Sequence, residues 1–178
     1  FLKTVGILNI DYLLNDFHFR SNEKAYQQIV QVSGRSGRKE IQGEVFIQTY
    51  QPEHPIIKMS IHNDFERFVD FELKIRKNRL LPPFSNLISL IISSKIEKKA
   101  REFSKEYALK ISSLFPEINV YGPAPSLIYK KNHYFRFRIL VKLKKSSIIQ
   151  NKVKKFLRLN HKNTDVKIVV DVDPLNFS

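Results

Sequence analysis

The chain has 178 residues, 42% of them hydrophobic and 14 of them Phe, enough for a packed core and too apolar for wholesale disorder. It contains no cysteine, which excludes disulfides and cysteine-ligated zinc within this stretch, and its five histidines form no H-x-x-x-H pair. The net charge of +14 is uneven: residues 1–80 hold 12 Lys/Arg against 10 Asp/Glu, whereas residues 81–178 hold 19 against 7, so the second half points to a polyanionic partner unless it is simply a solvated lysine-rich surface.

The sequence opens at Phe1 with no initiator Met, no signal-type apolar run and no stretch long enough to span a membrane, and is read as a piece of a longer protein. Val5 to Asp11 reads as an inner strand of a parallel sheet that delivers Asp11 to the carboxyl end, where α/β sites gather. The alternative role for Asp11 is to cap a turn. Ser21 as N-cap and Glu23 in the first turn then start a helix whose buried stripe is Ala25, Ile29 and Val32, supported by Tyr26 and Val30.

That helix runs into Gln31-Val32-Ser33-Gly34-Arg35-Ser36-Gly37-Arg38. If it continues through, Gln31, Arg35 and Arg38 fall at i, i+4 and i+7 on one face, while Gly34 and Gly37 allow close approach of a neighbouring surface. Two planar, always-charged forks aimed the same way suit a polyphosphate. The Q-x-x-G-R-x-G-R pattern resembles motif VI of superfamily 2 helicases, whose arginines reach the ATP phosphates from the second RecA-like lobe. The competing reading is a solvated basic turn with flexible glycines.

A second strand, Glu44–Tyr50, follows, and Pro52-Glu53-His54-Pro55 breaks the chain. Ile56 to about Leu80 reads as one helix with a basic end, stopped by Pro82-Pro83. The domain boundary is placed there, giving domains 1–80 and 81–178.

The second domain reads as a strand from Phe84 to Ser94, a helix from Glu97 to Phe115, and short strands at 118–121 and 126–129 around Gly122-Pro123-Ala124-Pro125. A basic turn at Lys130, Lys131, Asn132 and His133 follows. Tyr134–Leu143 is the clearest strand: Phe135, Phe137, Ile139, Val141 and Leu143 share one face, and Tyr134, Arg136, Arg138 and Lys142 the other. A helix at 147–159 and a strand at 166–172 close the pattern. The order predicts an α/β chain ending in a small α+β, split-βαβ domain with helices on one sheet face. Basic side chains interleaved with an aromatic suit single-stranded nucleic acid, so Lys130, Lys131, His133, Tyr134, Arg136, Arg138 and Lys142 are the candidate DNA contacts. In the competing reading Tyr134 packs against a helix and the arginines cover its edge. A second basic patch, Lys152, Lys154, Lys155 and Arg158, wraps its helix and reads more as solvated surface.

The segments Val5–Asp11, Phe19-Arg20 with Glu23, Gln31–Arg38, Tyr50-x-Pro52-Glu53-His54-Pro55, Pro82-Pro83-Phe84, Gly122-Pro123-Ala124-Pro125 and Asp171-Val172-Asp173-Pro174 occur in that order. Together they resemble the C-terminal part of the PriA family of primosomal replication-restart DNA helicases, also called primosomal protein N′. The resemblance covers essentially the whole chain, with departures at Phe17-His18, where the family has Pro-Asp, and at Leu81, where it has Tyr. It implies the end of a second RecA-like lobe followed by a ribosomal-protein-like C-terminal domain. It also implies ATP-dependent 3′→5′ unwinding, recognition of forked and single-stranded DNA, and primosome assembly with single-stranded-DNA-binding protein and other primosome proteins.

By the same resemblance Arg35 and Arg38 are catalytic and Gln31, Gly34, Gly37 and, more weakly, Asp11 bind nucleotide. ATP and Mg²⁺ are implied for the intact protein, as is zinc, whose cysteine ligands have no counterpart in this stretch. The expected location is cytoplasmic and nucleoid-associated, with no membrane partner. The chain has no G-x-x-x-x-G-K-S/T and no D-E-x-H, so it supplies only the arginine side of a phosphate site and is not expected to hydrolyse ATP alone. The alternative class is a non-catalytic nucleic-acid-binding or protein-docking adaptor. A ribosomal or RNA-binding protein would explain the basic domain but not the Gln31–Arg38 context.

Overall fold

A computed structural model describes residues 3–15, 18–36, 43–159 and 165–174, and the chain divides into two units, Phe1–Ile75 and Arg76–Ser178. In the first, β1 (Thr4–Ile7) and β2 (Glu44–Ile47) pair in parallel, with Val5 opposite Val45 and Ile7 opposite Ile47. Between them in sequence come α1 (Asp11–Leu14) and α2 (Ser21–Ser33). The strand stops well short of Asp11. Asn9 takes a φ of 53°, and the Leu13 amide already donates to the Ile10 carbonyl, so the chain has turned into α1 by then.

Arg20, not Ser21, holds the N-cap position of α2, and no side chain caps it. Ser21 is the first helical residue and its hydroxyl donates to the His18 carbonyl. Ala25, Tyr26 and Ile29 bury the inner face of α2 in a cluster with Ile7, Ile10, Ile56, Ile57 and Phe68, as a 3.6-residue period requires. The helix ends at Ser33. Gly34 is its C-cap, and Arg35 belongs to the turn that follows, its amide bonded to the Val32 carbonyl. The continuous helical face from Gln31 through Arg35 therefore does not form. Gly37 and Arg38 lie outside the described residues.

The single helix expected from Ile56 to Leu80 is two, α3 (Pro55–Ile61) and α4 (Phe65–Asn78). His54 Nδ1 accepts the Ile56 amide at 3.3 Å with Pro55 in the first turn, a standard helix start. Asn63 breaks the run with a φ of 50°, and Asp64 Oδ1 accepts the Arg67 amide at 3.1 Å to begin α4. The apolar period continues across this break, which is why the sequence reading passed over it.

The second unit holds β3 (Ser85–Ser94), α5 (Glu97–Leu114), β4 (Asn119–Lys131), β5 (Tyr134–Lys144), α6 (Ser147–Leu159) and β6 (Lys167–Val172). The two short strands expected around Gly122-Pro123 are one strand, β4, whose pairing with β5 shifts register between Tyr121 and Ala124 and again between Pro125 and Lys130. The sheet order is β4-β5-β3-β6 with every neighbouring pair antiparallel. Each helical connection skips over one strand, which is the split-βαβ arrangement.

One sheet face packs on the helices. Ile88, Leu90 and Ile92 of β3, Ile139, Val141 and Leu143 of β5, and Ile168 of β6 form one core with Tyr107 and Ile111 of α5 and Val153, Phe156 and Leu157 of α6. The inner strand β3 is buried on both faces, since Leu87 and Ile91 are also buried. No described helix is long and apolar enough to cross a membrane.

Candidate nucleic-acid interface

Strict alternation along β5 decides where its charges go. Phe137, Ile139, Val141 and Leu143 are buried toward the helices, so Tyr134, Arg136, Arg138 and Lys142 project from the opposite face, half-buried. Cross-strand register extends that set. Arg136, Ser93 and Lys167 stand in one row across β5, β3 and β6, and Arg138, Ile91 and Val169 stand in the next. On the other flank Tyr121 of β4 lies opposite Leu140 and is about half exposed, at 49%.

Two lysine–tyrosine pairs result. Lys167 Nζ lies 4.5 Å from the Tyr134 ring centroid, and Lys142 Nζ lies 5.7 Å from that of Tyr121. The Lys142 ammonium also donates to the Arg79 carbonyl at 2.7 Å, and Arg136 Nη1 to the Ile128 carbonyl at 3.4 Å. A face that carries cations and aromatic rings side by side can neutralise phosphates and stack bases. The sequence reading missed Tyr121 and Lys167. Tyr121 carried a signal, because it sits beside Gly122-Pro123. Lys167 carried none, because only strand pairing brings β6 alongside β3.

The hairpin before β5 splits the remaining candidates. Asn132 and His133 both have positive φ, 51° and 65°, and make a two-residue turn of the primed kind between the paired residues Lys131 and Tyr134. Lys131 therefore shares the Tyr134 face, and His133 is exposed at the tip. Lys130 pairs with Phe135 and places its Nζ 4.6 Å from that ring, on the helix-facing side. It is the one member of the candidate set that the sheet separates from the arginines.

Gly122 seats β4 against this face. Its φ is +98°, and a Cβ there would lie 2.7 Å from the Arg138 carbonyl oxygen. Only glycine allows that approach where the register shifts.

In the first unit, Asp11 is buried, its Oδ1 accepting the Thr49 hydroxyl at 2.8 Å and its Oδ2 the Tyr50 amide at 3.1 Å. The carboxylate thus ties α1 to the loop beyond the carboxyl end of β2. Burial pushes the nearby His54 imidazole below its ordinary pKa, and the Asp11 charge opposes that shift. Gln31 and Arg35 are exposed at the end of α2. Gly34 has a φ of −65°, and a Cβ there would meet the Val30 carbonyl at 3.4 Å, so the backbone does not demand glycine. Among the described residues, no group of three or more His, Cys, Asp or Glu side chains could hold a metal ion.

Residues 77–175 match the family described as primosomal protein N C-terminal domain. The chain is also similar along its length to proteins named replication restart protein PriA. With that of Rickettsia prowazekii it shares 35% identity over 178 residues, 99% of this chain and 27% of the relative. The Synechocystis protein is 32% identical over 177 residues, 99% of this chain and 21% of the relative. That of Haemophilus influenzae is 29% identical over 180 residues, 98% of this chain and 24% of the relative. The chain thus spans about a quarter of the length of the curated relatives it matches.

Proposed function

Because the chain belongs to the primosomal protein N C-terminal domain family, we propose that it is the closing part of an ATP-dependent 3′→5′ superfamily 2 DNA helicase that restarts replication at forked DNA through primosome assembly. In this reading the second unit contacts single-stranded or forked DNA with the sheet face that bears Tyr134, Arg136, Arg138 and Lys142. The observation that carries it is the convergence of these side chains with Tyr121 and Lys167 on the face away from α5 and α6. Phosphate contacts from the cations would supply most of the affinity, and the rings would supply sequence-tolerant stacking.

The first unit, in the same reading, is the end of a RecA-like lobe. What supports it is the parallel pairing of β1 and β2 with helical chain between them in sequence, and the Gln31–Arg38 pattern. Arg35 and Arg38 would meet the charge on the ATP γ-phosphate, and Gln31 would position nucleotide or water. Arginines in that role are worth about 10³–10⁵ in rate elsewhere. These residues fit only one side of a nucleotide site. The phosphate-cradling loop and the Mg²⁺ ligands have no counterpart in this sequence.

The test is binding of the chain to labelled single-stranded and forked oligonucleotides across a salt series, beside an Arg136→Ala/Arg138→Ala variant. Loss of two phosphate contacts should lower the slope of log K against log salt by about 1.4 on single strands. A variant that binds like the parent at every salt concentration rules out this face as the DNA site.

A further inference from the structure

A pocket opens where β3 ends, α5 begins and β6 starts, lined by Ser94, Lys95, Lys99, Tyr134, Asp165 and Lys167 among others. Tyr134 belongs both to this pocket and to the basic sheet face. Lys167 shares a cross-strand row with Ser93 and Arg136, so the pocket continues the face around the end of the sheet. Three ammonium groups face one carboxylate. Asp165 pairs with Lys99 at 2.6 Å, and that contact holds its carboxyl below its ordinary pKa. Among the described residues, no carboxylate pairs with Lys95 or Lys167, which leaves the pocket a surplus of positive charge beside an aromatic wall. Nothing in the sequence pattern groups these residues, which come from positions 94–99, 134 and 165–167.

We propose that this pocket binds a phosphate group of the nucleic-acid strand. Lys95 and Lys167 supply the charge, Asp165 holds Lys99 at the rim, and Tyr134 offers its ring to the adjoining base. The proposal rests on the sheet face being a nucleic-acid surface and extends it: the strand crosses β5, β3 and β6 toward the pocket instead of following β5 alone. Lys167, already over the Tyr134 ring, then serves both the phosphate and the orientation of the aromatic platform.

The experiment uses the full chain and a labelled oligothymidylate, with affinity measured across a salt series. It compares the parent with Lys95→Ala/Lys167→Ala, with Arg136→Ala/Arg138→Ala, and with the charge-matched Lys98→Ala/Lys105→Ala, whose lysines lie on α5 outside the pocket. The pocket variant should bind about tenfold more weakly near physiological salt, with a slope shallower by about 1.4, while the charge-matched control stays close to the parent. Thermal melts of all variants check that folding is intact. A pocket variant that binds like the parent, or no worse than the charge-matched control, overturns the proposal. If the arginine variant alone weakens binding, the pocket fails and the sheet face stands. If neither double variant differs from the parent, the sheet-face reading fails as well.

Discussion

The backbone of Gly122 passes so near Arg138 that a Cβ built on the glycine would sit 2.7 Å from the Arg138 carbonyl oxygen. Gly122→Ala therefore meets two penalties at once, a φ of +98° that an L side chain resists and a clash with backbone that cannot move aside. Strain at such a φ alone costs about 1–3 kcal/mol. Denaturant unfolding followed by far-ultraviolet circular dichroism should show a clear loss of stability, and hydrogen exchange should show lost protection along β4 and β5. An alanine variant with parental stability would show that this approach is not required.

Gly34 is the contrasting case. Its helical φ of −65° and the 3.4 Å spacing to the Val30 carbonyl leave room for a methyl group. Gly34→Ala should leave stability unchanged or raise it by up to about 1 kcal/mol, through loss of unfolded-state freedom. If, in the intact ATP-dependent helicase proposed above, the variant keeps the melting temperature of the chain but loses ATPase activity, the glycine serves the approach of a partner surface. A melting temperature that falls by several degrees would contradict the open geometry.

Tyr107 is 5% exposed, and its hydroxyl has no hydrogen-bond partner among the described residues. Burial pushes its pKa from 10.0 up to about 12. The folded value lies above the unfolded one, so this stabilisation is complete below about pH 10 and is lost as pH rises toward about 12. Tyr107→Phe removes the unsatisfied hydroxyl and keeps the ring against Phe103 and Phe156. It should match or exceed the parent in stability at neutral pH, and the gap in its favour should widen between pH 10 and 12. Parallel melting curves that stay the same distance apart across that range would refute the effect.

Asp11 joins α1 to the loop beyond β2 through Thr49 and Tyr50. A hydrogen bond to a charged group contributes about 1.5–3 kcal/mol, so Asp11→Ala, which removes two, should lower stability by at least that much. Thr49→Val should reproduce part of the loss, because it removes one of the two bonds. Urea midpoints for both variants test this, and an Asp11→Ala midpoint equal to the parent's would remove the structural role.

Side-chain alternation in β5 was legible because a period of two is a local property of extended backbone: once Phe137, Ile139, Val141 and Leu143 are inward, Arg136, Arg138 and Lys142 must be outward. The order of strands and helices in the second unit was readable from its periodicities too, except that β4 reads as two short strands because Gly122-Pro123-Ala124-Pro125 interrupts its pattern. The end of α2 was not. Its apolar stripe gives no sign that the helix stops at Ser33, and Gly34 closes it in a helical conformation that other residues could adopt. The break between α3 and α4 was written only in Asn63 and Asp64, inside an unbroken apolar period.

By itself, then, the sequence determined which residues of each strand share a face, the split-βαβ order and the family, since all three depend on near neighbours or on motifs in line. Tertiary structure alone decided that Lys167 sits over Tyr134, that Tyr121 faces Lys142, and that Lys130 turns to the helix side with Phe135. Lys167 meets Tyr134 across strands far apart in the chain, and Tyr121 and Lys130 meet their partners across the β4–β5 pair, where register sets the neighbour and a single bulge changes it.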